Sequence, residues 1–227
     1  MTSQPGGRGI AGQPVRRLTI ADVEACSVLA VDRDWEPAPE KWRLLFELGE
    51  VYGVDDPAGG LAGAVALTRY GPGLAAVGKM LVARRHGRQG LGGRLMAHVL
   101  DQAGDTVTCL IATEYGRPLY ERLGFGAIDR SVRYIGPLAA GQPGPAGPGL
   151  REASPADLAV ATALIAGLAA GAGRPVRLDV PGRQPALASW AAHRGLTVRR
   201  QSTYMVRGGQ LPGAREHVFG PANMALC

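Results

Sequence analysis

Val82-Ala83-Arg84-Arg85-His86-Gly87-Arg88-Gln89-Gly90-Leu91-Gly92-Gly93-Arg94-Leu95 is the stretch on which the reading of this 227-residue chain turns. It follows an apolar run, Leu74 to Val82, that reads as a strand, and it leads into an amphipathic helix from Leu91 to Ala103. Strand, basic glycine turn and helix start together make an anion site. The first amides of a helix have no intrahelical partner, and the helix dipole adds partial positive charge there. Gly90, Gly92 and Gly93 let backbone approach a ligand with no side chain in the way. Arg88 and Arg94 add full charges suited to phosphate oxygens, so the expected ligand carries a pyrophosphate.

Two phosphate loops are excluded by spelling. Gly87 and Gly92 have Walker spacing, but Gly93-Arg94 follows where lysine and a metal-binding hydroxyl are required. A dinucleotide fingerprint needs its third glycine where Leu95 stands. The segment instead resembles the acyl-CoA loop of the GNAT N-acetyltransferases, Arg/Gln-x-x-Gly-x-Gly/Ala. Gln89-Gly90-Leu91-Gly92-Gly93-Arg94-Leu95 has the form Gln-Gly-Leu-Gly-x-x-Leu, and the one departure is Gly87 at the leading Arg/Gln position. Downstream, Gly116-Arg117-Pro118-Leu119-Tyr120-Glu121-Arg122-Leu123-Gly124-Phe125 resembles a second hallmark of that family, a short helix ending Leu-Tyr-Glu-x-Leu-Gly-Phe. Pro118 suits a first helical turn, and Gly124 suits a left-handed cap.

The resemblance implies an α/β fold with a mixed sheet, covering about Val15 to Gly136. It implies acetyl-CoA as cosubstrate, held by the Arg88–Arg94 loop and by backbone of Leu81 and Val82. It implies an amine acceptor attacking directly in a ternary complex, with Tyr120 facing the CoA sulfur as general acid. No base is evident. The strand Leu74 to Met80 has no carboxylate; Glu114 is one candidate, and Asp32, Asp34 and Glu36 lie in the segment that usually walls the acceptor site. The expected acceptor is a small amine. A CoA-binding sensor without turnover and an enzyme modifying protein lysines or N-termini are the rival readings. A homodimer is compatible with all three.

Beyond a disordered start at 1–14 and a catalytic domain at 15–138, the run from Ala139 to Gly149 is a linker by composition. Residues 150–227 then form a smaller unit that repeats the first. Superposing Gly195-Leu196 on Gly124-Phe125 puts Trp190 on Leu119 and Ala191 on Tyr120. No glycine-rich loop precedes it, so it is expected to be a GNAT-like half-domain without cofactor chemistry.

Net charge +6 would permit nucleic-acid binding, but the arginines are scattered apart from Arg84, Arg85, Arg88 and Arg94, and no aromatic-interleaved basic stripe exists. Nucleic acid is therefore not an expected partner. Cys26, Cys109 and Cys227 have neither disulfide nor zinc spacing, and no metal is expected. Cys109 should pack as a small hydrophobe, and His98 should lie on a solvated helix face. Leu158 to Gly173 is too short for a comfortable membrane span and reads as a buried helix. Met1 to Pro14 has no apolar leader, which points to the cytoplasm.

Overall fold

The computed structural model describes residues 9–138, 154, 157–170, 175–215 and 218. The expected linker therefore lies outside the described residues. Contacts divide the chain into two compact units, Met1–Leu110 with Arg207–Gln210 and Ile111–Val206 with Leu211–Ala225. The division falls well ahead of the proline- and glycine-rich run at 139–149.

In the first unit, β1 (Arg16–Arg17), β2 (Gly49–Asp55), β3 (Leu61–Arg69) and β4 (Leu74–Val82) form an antiparallel series. β5 (Val107–Ala112) then pairs parallel to β4, from Leu74 opposite Val107 to Val77 opposite Leu110. β3 is buried along nearly its whole length, which is why Leu61 to Leu67 reads as continuous apolar sequence rather than alternation. Helices α1 (Val23–Asp32), α2 (Pro39–Leu48) and α3 (Leu91–Ala103) pack on these strands.

On α3 the buried residues are Leu91, Leu95, Met96, Val99 and Ala103, a stripe at helical spacing. Leu95 is fully buried. Burying one such leucine side chain contributes about 1.5–3 kcal/mol. His98 departs from expectation. It is half-buried, its ring lies edge-on to Tyr52 at 4.6 Å, and its Nε2 is shielded from solvent. Tyr52 on β2 reaches up to the helix flank, a contact that helical periodicity alone does not encode.

Of the start expected to be disordered, residues 1–8 lie outside the described residues. Ile10–Gly12 forms a 3-10 turn, Ile10 is buried, and the Arg94 side chain donates to its carbonyl. Cys26 and Cys109 are buried free thiols, and burial pushes the Cys26 thiol up to about 12.

The second unit is built on β6 (Gly126–Gly136), which pairs antiparallel with β7 (Val176–Pro181) and with β8 (Thr197–Arg207). Helices α4 (Arg117–Arg122), α5 (Leu158–Ala170) and α6 (Pro185–His193) complete it. Tyr134, Val180, Leu187, Ala191 and Leu196 form its core. The repeat is visible in the backbone. Gly124 and Gly195 take φ of +84° and +86°, and each follows a short helix opened by proline. Phe125 N–H bonds Tyr120 C=O at 3.0 Å; Leu196 N–H bonds Ala191 C=O at 3.1 Å. The two helix ends are thus one motif used twice.

The expectation of a buried helix holds for one face of α5 only: Ala166 is buried, whereas Val160 and Leu164 are exposed. Its sequence is apolar all round, so hydrophobicity could not tell one face from the other. Among the described residues no helix is long and apolar enough to cross a membrane.

Candidate active site

The glycine turn opens α3 as the sequence predicts. Gly90 is the N-cap, with φ of +80° and no atom within 4 Å of where a side chain would start. Arg88, two residues earlier, also has positive φ, +61°. The first bond of the helix runs from Arg94 N–H to Gly90 C=O at 3.1 Å, so the amides of Leu91, Gly92 and Gly93 precede the intrahelical ladder. No side chain caps them and no acidic residue stands in the first turn. This is the geometry of an anion site.

Its electrostatics differ from a simple count of basic residues. Arg84 donates from its backbone to Asp32 at 2.7 Å and pairs through its guanidinium with Asp34. Arg85 pairs with the buried Asp56, on which His86 also converges. Arg94 turns to carbonyls, donating to Ile10 at 2.9 Å and to Gln13. Gln89 folds back on the Arg85 carbonyl at 3.0 Å. Arg88 is exposed and has no ionic partner among the described residues. Of the four clustered arginines it is the one whose guanidinium has no hydrogen-bond or ionic partner among the described residues.

Asp32 and Asp34, considered above as acceptor-site carboxylates, therefore fasten the α1–α2 connection to the turn after β4. Glu36 lies 3.8 Å from Lys41.

Sequence reading missed the anchor, Asp56. Burial alone would raise its carboxyl, but the Ala58 amide and the His86 and Arg85 side chains outweigh this and hold it below the usual carboxylate range. The only signal was an acidic pair before a proline turn, a pattern common to solvated hairpins.

Sequence reading also missed a β-bulge in β4. Ala64 faces Leu81 and Ala66 faces Gly78, so Lys79 and Met80 together oppose Val65. Lys79 sits there with φ of +49°, a conformation costly for a lysine. Its ammonium lies 5.0 Å from the Trp42 ring and 5.7 Å from that of Trp35. The bulge immediately precedes Leu81 and Val82, whose strand partners are Ala64 and Gly63.

Tyr120 and Glu114 belong to the second unit. Tyr120 is 9% exposed, with its ring edge-on to Phe125 at 6.1 Å. Burial pushes its hydroxyl up to about 12, so it keeps its proton at neutral pH. Its hydroxyl lies beside the Gly116 backbone, 3.5 Å from where a side chain at that position would begin. Glu114 is exposed at the end of β5 and lines a cavity of about 290 Å³ with Arg117, Asp129 and Arg130. Among the described residues, no three His, Cys, Asp or Glu side chains group as metal ligands would.

Comparison with known proteins agrees with this architecture. Residues 47–126 match an acetyltransferase (GNAT) domain family, and residues 154–220 match a second one, the two together taking in more than half of the chain. Over 96 residues the chain is 31% identical to the uncharacterized N-acetyltransferase YitH of Bacillus subtilis. That alignment takes in 42% of this chain and only 34% of YitH, about a third of its length.

A solved structure assigned as an acetyltransferase of Pyrococcus horikoshii is similar over 100% of both chains, with a TM-score of 0.78 at 15% identity. A GCN5-related N-acetyltransferase from Sphaerobacter thermophilus is similar over 86% of this chain and 95% of its own, with a TM-score of 0.59 at 14% identity. At such identities these likenesses speak to the fold. The chain belongs to the GNAT acetyltransferase superfamily and carries a second GNAT-like domain.

Proposed function

We propose that this protein is an acetyl-CoA-dependent N-acetyltransferase that acylates a primary amine of a small molecule by direct attack in a ternary complex. The observation that carries this reading is the uncapped α3 start behind the Gly90 turn, with Arg88 as its unpaired cation. Uncapped amides and a free guanidinium at a helix N-terminus suit a pyrophosphate. Acetyl-CoA, when bound, supplies the thioester carbonyl and the thiolate leaving group.

The chain's residues then have distinct tasks. Amides of Leu91, Gly92 and Gly93 and the Arg88 side chain hold phosphate oxygens, and backbone of Leu81 and Val82 holds the pantetheine arm. A β4 amide near the bulge polarises the carbonyl, where preorganised donors act most strongly in the transition state. Tyr120, a phenol that burial holds further from ionisation, gives its proton to the departing sulfur. Glu114 takes a proton from the acceptor amine, directly or through water. The second GNAT-like domain, with Ala191 in place of Tyr120, supplies no general acid of its own.

The test is calorimetry with acetyl-CoA on the wild type and on Gly92→Val, paired with CoA release from an amine panel. Wild type should bind and turn over, and the valine should abolish measurable binding in a folded protein. Equal affinity in both would sink the cofactor assignment, and binding without turnover on any amine would leave a sensor.

A further inference from the structure

The cavity beside Glu114 has a charge pattern that the proposed chemistry has not yet used. Its walls come from the turn before α4 and from the facing strands β6 and β8, all within the second unit. At about 290 Å³ it has room for a ligand of amino-acid size.

One of its four charges is satisfied within the protein and three are not fully spent. Asp129 has a buried carboxylate facing Arg183 at 3.3 Å and Arg215 at 3.7 Å, so its charge is balanced by the second unit's own arginines. Arg130 is exposed; its backbone amide donates to Asp129 at 2.7 Å, and its guanidinium has no carboxylate partner among the described residues. Arg117 gives its Nε to Glu121 at 2.7 Å, which leaves the guanidinium's other nitrogens. Glu114 makes no ion pair or hydrogen bond among the described residues. The β8 side of the cavity adds Ser202 and Thr203, both buried and polar.

A pocket of this size with two guanidiniums and, beside the paired Asp129, one unpaired carboxylate is complementary to a small zwitterion. Arginine's planar fork matches a carboxylate in two-point contact, and a carboxylate beside it receives an ammonium. Glu114 also lies on the turn that leads to Tyr120, the acid of the proposed reaction.

We infer that this cavity binds an amino carboxylate, with Arg117 and Arg130 on its carboxylate and Glu114 on its ammonium. Resting on the acetyltransferase reading, this names the acceptor class: a free amino acid, rather than a simple amine or a protein side chain.

The experiment titrates the full chain with each of the twenty L-amino acids and with the amine that each yields on losing its carboxylate. Calorimetry is run with and without CoA, on wild type and on Arg130→Gln, whose exposed position spares the fold. At least one amino acid should bind about tenfold or more tightly than its amine, and Arg130→Gln should remove that difference while leaving the amine unchanged. If no amino acid outbinds its amine, or if Arg130→Gln changes nothing, the inference is overturned. Acetyl-CoA titrated into the same samples separates the two readings. Amino-acid binding without acetyl-CoA binding would keep the cavity assignment and remove the acetyltransferase. Acetylation of amines with no preference for a carboxylate would do the reverse.

Discussion

Arg85 donates from its Nε to the buried carboxylate of Asp56 at 2.7 Å, which binds the basic turn after β4 to the hairpin between β2 and β3. One guanidinium of the basic turn thus serves the fold, whereas its neighbour Arg88 is exposed to solvent. Two arginines three residues apart should answer to mutation in opposite ways.

Arg88→Gln should weaken acetyl-CoA by about tenfold, and the remaining binding should depend less on salt, with little change in melting temperature. Arg85→Gln should leave Asp56 with one partner fewer and cost about 1–3 kcal/mol of stability. Chemical denaturation beside calorimetry reads both. If Arg85→Gln weakened cofactor binding as much as Arg88→Gln without loss of stability, the division of labour would be wrong.

Asp56 also sets an acid limit. Its carboxyl is held below the usual range in the folded state, so the stability it contributes is complete above the unfolded value and is lost as pH falls through the folded one. The wild type should therefore lose stability more steeply than Asp56→Asn on going from pH 5 downward. Parallel stability curves for the two proteins would show that this carboxylate does not carry the effect.

Tyr120→Phe should lower kcat by about 100- to 10,000-fold, less where water replaces the hydroxyl, with nearly unchanged acetyl-CoA affinity. Because burial holds the hydroxyl up to about 12, its ionisation should not limit kcat below pH 10. A kcat that falls through pH 9 in the wild type and not in the phenylalanine variant would contradict that environment.

The second GNAT-like domain has a real core, and Leu187 is wholly buried in it. Leu187→Ala should destabilise by about 2–5 kcal/mol, read by denaturant unfolding. A cost under about 1 kcal/mol would mean that α6 is not packed as described.

Much of this protein is determined locally and could be read directly from the chain. The order of strands and helices from β2 to β6, the Gly90 turn, and the paired helix ends at Gly124 and Gly195 all follow from short-range rules. Apolar spacing selects helix or strand, glycine admits positive φ, and proline suits a first helical turn. Tertiary structure decided which charges are available. The Arg94 guanidinium meets carbonyls 81 and 84 residues earlier in the chain, contacts that its place in the glycine turn does not announce. Arg84 meets Asp34, 50 residues away, and Asp32, 52 away. The β4 bulge exists only in register with β3, and the cavity beside Glu114 exists only where β6 and β8 face each other. A side chain's charge is a property of its residue type, but whether that charge is spent on the fold or left for a ligand depends on partners brought near by packing, and sequence spacing does not encode them.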